Sequence, residues 1–183
     1  MNNALLCQLI ALVVFLATVV FTLFKKEYIL AAIPTVAALA YFGMIYDPLS
    51  KEKYRYVDWA FTTPLMLFAI LSANRMPLSL IAAVIGADLV MIYFGYKGTL
   101  ETTVEKKMFD FWISCAAFLP VLYILWKCKY TKHAKYLTLV VWVLYPVLWY
   151  MNETGVFDEK NSTCLYAVMD ICAKVGLVYF LQE

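Results

Sequence analysis

Residues 164–181 read CLYAVMDICAKVGLVYFL, an apolar run that contains Asp170 and Lys174 four positions apart. A run of about 18 apolar residues is long enough to cross the hydrocarbon core of a bilayer as an α-helix. Residues four apart lie on one face of a helix, so the carboxylate and the ammonium are neighbours. Lys174 is separated from the last residue by roughly 14 Å of helix, about half the hydrocarbon thickness. An ionisable group at that depth is costly in lipid and indicates a functional site.

The composition of the whole chain is that of a membrane protein. The 183 residues are 64% hydrophobic and 15% charged, and the mean hydropathy is +0.76. Globular domains are about 45–50% apolar, and a soluble core of this length could not bury the excess. The same numbers exclude a disulfide-rich extracellular scaffold and a disordered chain. The net charge of +2 gives no reason to expect nucleic acid as a partner.

Charged clusters separate seven apolar runs, each of which we predict to be a transmembrane helix. The runs are residues 4–24, 28–46, 56–73, 77–96, 109–126, 136–151 and 164–181. Seven spans of roughly 20 residues use about 140 residues, which leaves room only for short connections. Strands are excluded because the runs lack the two-residue alternation of a membrane barrel. We therefore predict an all-α, seven-transmembrane-helix bundle that forms a single domain over residues 1–183 of an integral, multi-pass membrane protein.

The charges of the connections set the predicted orientation. Basic residues are almost equally divided between the two sides. The first side has Lys or Arg at positions 25, 26, 75, 127, 129, 132 and 135, and the second side at positions 51, 53, 97, 106, 107 and 160, with Arg55 at its membrane edge. Most acidic residues lie on the second side. From the positive-inside tendency we place the first side in the cytoplasm, which puts the N-terminus outside and the C-terminus in the cytoplasm.

Charges in the third run and just before it complement those of the seventh. Arg55, Asp58 and Thr62 are spaced three and four apart and share a helix face. Two cations, Arg55 and Lys174, and two carboxylates, Asp58 and Asp170, sum to zero and could be buried where the helices meet. Such a set is either a structural salt-bridge cluster that holds a transporter bundle together or the site of a reactive lysine. A desolvated amine can form an imine with a carbonyl compound, and a carboxylate must then balance the positive charge.

Four segments, in this order, resemble the microbial (type 1) rhodopsins. They are residues 55–65 (RYVDWAFTTPL), 86–95 (GADLVMIYFG), 142–149 (WVLYPVLW) and 170–176 (DICAKVG). One such match would be weak, but four in order over essentially the whole chain favour this family over the salt-bridge cluster. The resemblance implies a retinal protein, not an enzyme, with all-trans retinal bound covalently to Lys174 as a protonated Schiff base.

The resemblance also assigns roles to the charged residues. It implies that Asp58 is the primary counterion and proton acceptor, that Asp170 is the second counterion and that Arg55 is a switchable cation on the extracellular side, with Thr62 on the same face. Tyr41 and Tyr145 match the tyrosines that hydrogen-bond the aspartate at position 170.

A further set of residues is implied to surround the retinal. Trp59 and Trp142 would sandwich the polyene, and Met66 occupies a colour-tuning position where an apolar side chain resembles green-absorbing members. Asp88 pairs in the family with the threonine at Thr63, and we expect it to be protonated because desolvation disfavours the charged form. The remaining predicted retinal-site residues are Met91, Gly95, Ser114, Phe118, Pro146, Trp149 and Ala173.

One position departs from the pattern of the family's proton pumps. Those pumps usually place a carboxylate eleven residues after the acceptor to return a proton from the cytoplasm, and this position holds Ala69. On the extracellular side the nearest match to a release acid is Glu153, with Ser162 where a second acid would stand. We therefore expect a light-driven outward proton pump with slow reprotonation. A light-gated cation channel and a sensor that signals through a partner stay open, although the second run, residues 28–46, has no carboxylate of the kind that channels carry.

Other features of the sequence carry weaker predictions. The five cysteines have no metal-ligand spacing, and we expect apolar packing; Cys7 and Cys164 lie near the outer ends of their helices and could pair. The sequons at Asn152 and Asn161 lie on the outer side in tight loops, where we expect no glycosylation. The expected partners are the lipid bilayer, protons or small cations, and further copies of the chain in a trimer or pentamer.

Overall fold

The computed structural model describes residues 3–129 and 132–181, apart from the side chains of residues 132, 133 and 159. In chain order the helices are α1 (Asn3–Phe24), α2 (Tyr28–Tyr46), α3 (Lys51–Ala73), α4 (Leu78–Leu100), α5 (Val104–Lys127), α6 (Lys132–Glu153), α7 (Glu159–Asp170) and α8 (Gly176–Phe180). A short 3₁₀ turn, Pro48–Ser50, precedes α3, and a π-helical segment, Ile171–Val175, joins α7 to α8. The described residues contain seven segments long and apolar enough to span a membrane and no strand, which confirms the predicted seven-helix fold.

The helices extend further than the apolar runs that predicted them. α3 begins at Lys51 rather than at residue 56, α5 begins at Val104 rather than at residue 109, and α4 continues to Leu100. Hydropathy marks only the part of a helix that lies in hydrocarbon. The charged turns beyond it still form backbone hydrogen bonds, so the connections are shorter than the charged clusters suggest.

Helices adjacent in sequence pack against each other, and α1 packs against α7, which closes the bundle. Small buried residues, Ala11 on α1 and Ala37 and Ala38 on α2, let these two helices approach closely. On the opposite face of the helices large apolar side chains point outward: Val13, Leu39, Phe61 and Leu119 are at least 60% exposed. This outward apolar surface suits lipid and not water.

A disulfide joins Cys7 of α1 to Cys164 of α7, with 5.3 Å between the Cα atoms. For these two cysteines the structure departs from the apolar packing that we expected. The residues are 157 positions apart in sequence, and only the packing of α1 on α7 brings the two helix ends together. We call this end of the bundle the disulfide end. The other end, which holds the last turns of α1, α3, α5 and α8, is the opposite end.

Candidate functional site

Lys174 lies in the π-helical segment, in the middle of the bundle. The widened turn of a π-helix changes the register between Asp170 and the residues after it, and such segments inside α-helices are frequent at functional sites. The side chain of Lys174 is 2% exposed. Cα–Cβ bonds of a helix tilt toward its N-terminus, so the ammonium is directed toward the disulfide end, where α7 begins.

Two buried carboxylates hold the Lys174 ammonium. Its Nζ lies 2.5 Å from Asp58 Oδ2 on α3 and 2.9 Å from Asp170 Oδ1 on α7. Both carboxylates are fully buried. The structure therefore brings together three of the four charges that the sequence predicted to meet, in an ion-paired arrangement that can be buried in the membrane interior.

The two carboxylates differ in how well the protein solvates them. Asp170 accepts hydrogen bonds from Tyr41 at 2.8 Å, from Tyr145 at 2.7 Å and from the indole of Trp59 at 3.1 Å, in addition to Lys174. Asp58 accepts one, from Lys174, and its Oδ1 is buried without a hydrogen-bond partner among the described residues. Thr62 donates to the backbone carbonyl of Asp58 at 2.8 Å rather than to the carboxylate.

Arg55 is buried, but it does not contact the carboxylates of Asp58 or Asp170 within the described residues. Its Nη1 lies 2.6 Å from both carboxylate oxygens of Glu52, and the guanidinium lies 4.1 Å from the ring centroid of Tyr166. The set of four charges predicted from the sequence is therefore incomplete, because Arg55 pairs with Glu52 instead. Glu52 precedes Arg55 by three positions, and this spacing is the signal that sequence reasoning missed.

Beside Lys174, between the helices, lies a partly open apolar cavity. The predicted site residues that line it are Trp59, Thr63, Met66, Met91, Gly95, Ser114, Phe118, Trp142, Tyr145, Pro146, Trp149, Asp170, Ala173 and Lys174. Tyr41, Arg55, Asp58, Thr62 and Asp88 lie outside its lining, around the ion pairs or behind Thr63.

The cavity has walls of a kind that suits a long, flat, apolar ligand. Phe118 and Trp142 are stacked with 6.5 Å between their ring centroids, and Phe111 and Trp149 are stacked with 5.2 Å. A methyl group added at Gly95 would lie 3.4 Å from the Tyr56 side chain, in contact with the cavity wall. Ligand pockets with aromatic walls and few polar groups are typical of such ligands.

Four lining residues were not predicted: Tyr56, Ile92, Phe111 and Cys115. On α5 the positions 111, 114, 115 and 118 follow the spacing of one helix face. Extending that face from the predicted Ser114 and Phe118 would have found Phe111 and Cys115 from the sequence.

Thr63 and Asp88 connect α3 and α4 next to the cavity. The Thr63 hydroxyl lies 2.9 Å from the Trp59 carbonyl and 2.6 Å from Asp88 Oδ2. A hydroxyl has one proton to donate. If that proton goes to the carbonyl, the Thr63 oxygen accepts a hydrogen bond from Asp88, which must then carry a proton. The geometry thus suits a protonated Asp88.

Near the disulfide end, two further ion pairs hold acidic residues. Asp110, fully buried on α5, accepts from Lys97 at 2.8 and 3.0 Å, and Glu153 of α6 pairs with Lys107 of α5. The burial of Asp110 depends on how α4 packs against α5, which the sequence of either helix alone does not show. Glu153, the predicted nearest match to a release acid, is thus bound to a cation.

Comparison with known proteins points to a single family. The model of the bacteriorhodopsin-like protein family matches residues 3–183. Bacteriorhodopsin of Halobacterium salinarum is 33% identical over 83% of this chain and 68% of its own length. The opsin-like protein carO of Fusarium fujikuroi is 32% identical over 81% of this chain, which spans about three fifths of that relative, 59% of its length.

Solved structures agree with these relatives. The proton pumping rhodopsin AR2 from the marine alga Acetabularia acetabulum superimposes with a TM-score of 0.88 at 26% identity, over 99% of this chain and 93% of that one. The thermophilic rhodopsin from Rubrobacter xylanophilus superimposes with a TM-score of 0.84 at 27% identity, over 97% of this chain and 94% of that one.

The family accounts for the buried lysine, because membership implies retinal bound to a lysine. Its relative AR2 is a proton pumping rhodopsin, which is a transporter rather than an enzyme. It also accounts for the seven apolar spans, which make the chain an integral, multi-pass membrane protein. From the match over residues 3–183 and the identity to bacteriorhodopsin, we conclude that this chain belongs to the bacteriorhodopsin-like family of microbial rhodopsins.

Proposed function

We propose that the chain is a light-driven outward proton pump that carries all-trans retinal on Lys174 and regains its proton slowly. The observation that carries the proposal is the contact of Lys174 Nζ with two buried carboxylates that are unequally supplied with hydrogen-bond donors. When bound, retinal supplies the absorption of visible light and a light-driven change at the Lys174 nitrogen. The side chains of this protein hold the retinal, balance its charge and accept and return the proton.

The residues around Lys174 fit this group. The cavity begins at Lys174 and is lined by aromatic and apolar side chains, including Trp59, Trp142 and Tyr145. Among the described residues that line the cavity, the charged groups are Lys174 and Asp170, which pair with each other, so an apolar polyene meets no unpaired charge there. Thr63, Met66, Met91, Gly95, Ser114, Phe118, Pro146, Trp149 and Ala173 complete the site that we assign to retinal.

We assign the proton acceptor to Asp58 and a fixed counterion role to Asp170. A carboxylate that accepts several hydrogen bonds is stabilised in its charged form. Asp170 accepts four and Asp58 accepts one. Asp58 is therefore the acid that takes the proton of the Lys174 nitrogen, and it lies within direct contact of that nitrogen. Thr62 holds the backbone of α3 beside it.

The position of Asp58 supports the proposed direction of transport. Both helices begin at the disulfide end. The backbone of Asp58 lies about 11 Å along α3 from its first residue, Lys51, whereas the backbone of Lys174 lies about 21 Å along its span from Lys160. A proton that passes from Lys174 to Asp58 therefore moves toward the disulfide end.

The disulfide supports an orientation in which that end faces the outside. Disulfides form and persist in oxidising compartments and are rare in the cytosol. The Cys7–Cys164 bond thus supports an external disulfide end, with the N-terminus outside, in agreement with the orientation predicted from charge. Protons would then leave the cell.

Slow recovery follows from the residues between Lys174 and the opposite end. Ala69 stands where pumps of the family usually carry a proton donor, and its neighbours Ile70 and Leu71 are fully buried, as is Leu177 after Lys174. Without a carboxylate, a proton reaches the nitrogen from bulk water, at a rate that falls as pH rises.

A cation channel and a sensor are the alternatives. A channel needs a polar, water-lined pore, whereas α2 buries mainly alanine and other apolar residues. A sensor would photocycle without transport.

The family resemblance is also the ground for proposing a trimer or pentamer in the bilayer. The mass of the detergent-solubilised protein checks this proposal.

The decisive experiment is illumination of an unbuffered suspension of retinal-supplied cells that express the protein. We expect the medium to become more acidic, an uncoupler to abolish the signal, and Lys174→Ala cells to be colourless and inactive. The matched control is Asp58→Asn, which should keep the pigment but lose the acidification. Light-induced currents that reverse with the cation gradient would establish the channel instead, and photocycling with neither response would establish the sensor.

A further inference from the structure

The fold gives Arg55 a partner on its own helix. Glu52 lies in the first turn of α3, and both of its carboxylate oxygens are 2.6 Å from Arg55 Nη1. The Arg55 side chain is 4% exposed, and that of Glu52 is 38% exposed. A buried guanidinium is thus neutralised by a carboxylate that reaches the surface of the disulfide end.

Aromatic side chains pack against Arg55 between Asp170 and the disulfide end. The guanidinium lies 4.1 Å from the ring centroid of Tyr166, which precedes Asp170 by one helical turn, or about 6 Å toward the disulfide end. The Tyr166 ring in turn packs on Trp59 at 5.7 Å and on Tyr145 at 6.3 Å. Arg55 therefore lies between Glu52 and the ring layer that covers the Lys174 site.

The charge balance changes once Glu52 is counted. Lys174, Asp58 and Asp170 together carry one excess negative charge, and the Arg55–Glu52 pair carries none. If Arg55 were free of Glu52, its charge would balance the excess. Glu153, another carboxylate near this end, is already paired with Lys107.

We propose that Glu52 is a positioning residue that holds the charge of Arg55 away from Asp58 and Asp170. The inference rests on the proposed function, because it takes Asp58 as the counterion of the retinal-bearing lysine. Glu52 thereby sets how much positive charge the inner carboxylates experience in the dark, and so the acidity needed to protonate Asp58.

Removal of the Glu52 charge should therefore redirect Arg55. Glu52→Gln keeps the size of the side chain but leaves a buried guanidinium without an anionic partner, which is costly. Asp58 lies one turn further along α3, within reach of the long arginine side chain. A cation within about 4–6 Å favours the charged form of a carboxylate by about one to three pH units. Among the described residues, the other titratable and charged groups that face Arg55 or Asp58 are unchanged; they are Tyr41, Tyr56, Tyr145, Tyr166, Asp170 and Lys174.

The test is a pH titration of the colour of purified, retinal-reconstituted protein in the dark. Protonation of Asp58 removes a negative charge beside the Lys174 nitrogen, so absorption moves to longer wavelength in acid. We expect the midpoint of this change to lie about one pH unit or more lower in Glu52→Gln than in the wild type. Glu52→Asp, which keeps the charge, should restore the wild-type midpoint, and Glu153→Gln is the matched control that removes a carboxylate paired with Lys107.

A double-mutant cycle separates positioning from a general field effect. In the Arg55→Gln background, Glu52→Gln should leave the midpoint unchanged to within about 0.3 pH unit, because Glu52 then has no guanidinium to hold. An equal shift in both backgrounds would overturn the proposal, as would an unshifted Glu52→Gln midpoint or an equal shift in Glu153→Gln.

The remaining outcomes are also decisive. Glu52→Ser is a second neutral variant in case Glu52→Gln gives no pigment. Failure of both to form pigment, while Glu52→Asp forms it, would overturn the proposal in favour of a purely structural ion pair. A wild-type pigment with no acid-induced colour change would also overturn it. The titration needs no pumping, so absence of light-driven acidification would refute the pump and leave this result standing, whereas a colourless wild-type protein would refute both.

Discussion

At the scale of single residues, the two aspartates beside Lys174 have different surroundings, on which the roles proposed for them depend. Asp170 receives hydrogen bonds from Tyr41, Tyr145 and Trp59, whereas one oxygen of Asp58 has no partner within the described chain. Such differences in donated hydrogen bonds separate a fixed anion from a group that exchanges protons. The chemistry of the site is therefore set by the neighbours of each carboxylate.

Ala69 tests the proposed route of proton return. Ala69→Asp places a carboxylate on α3 eleven positions after Asp58, on the opposite-end side of Lys174. We expect recovery of the pigment after a flash to become at least about tenfold faster, because a positioned acid contributes about 10²–10⁴-fold to proton transfer. We also expect its dependence on pH to become weaker. Flash-induced absorbance measured over a range of pH values checks this.

The matched control is Ala60→Asp, which lies on the same helix on the disulfide-end side of Lys174 and should not speed recovery. If Ala69→Asp left the recovery rate unchanged, the proton would have to return by another route.

At the scale of helices, the cavity depends on how closely α4 approaches the aromatic side chains of α5 and α6. A Cβ atom at Gly98 would come within 2.9 Å of the Trp149 ring, which is stacked on Phe111 at the cavity wall. Gly86 lies on the same helix, and a Cβ atom there would meet nothing within 4 Å. Gly98 thus permits α4 to approach Trp149 of α6, whereas Gly86 has open space beside it.

This pair of glycines gives a matched prediction. Gly98→Ala should destabilise the pigment by about 1–3 kcal/mol because it overpacks a rigid aromatic wall. It should also displace Trp149 and shift the absorbance maximum. Gly86→Ala should be neutral or stabilising by up to about 1 kcal/mol, since alanine is the better helix former. Thermal loss of colour and the visible spectrum measure both effects, and equal behaviour of the two variants would contradict the packing argument.

At the scale of the whole molecule, the proposed outward transport requires the disulfide end to face the outside. Reduction and labelling of intact cells with reagents that do not cross membranes should then modify Cys7 and Cys164. Their two sulfurs lie at one end of the bundle, whereas the free cysteines are half-buried or buried within it. The Cys7→Ser/Cys164→Ser double variant is the control and should lose the label. Labelling that appears only after permeabilisation would reverse the orientation and, with it, the direction of pumping.

Much of this protein could be predicted from its sequence alone. The seven spans follow from hydropathy, because lipid accepts only helices with satisfied backbones or closed barrels. The shared face of Asp170 and Lys174 follows from helical periodicity. The four motifs indicated the family, which the comparisons confirm. These features are local or compositional, so they can be read without knowing which helices touch.

Tertiary structure decided the features that join distant segments. Helix packing brings Asp58 to Lys174 across 116 positions and closes the Cys7–Cys164 bond across 157. It also gives Asp170 its tyrosine donors, and it holds Arg55 over Tyr166. Periodicity tells which face of a helix is apolar, but a hydrogen bond requires two groups within about 3 Å. That distance depends on the height and rotation of each helix against its neighbours, which no single segment encodes.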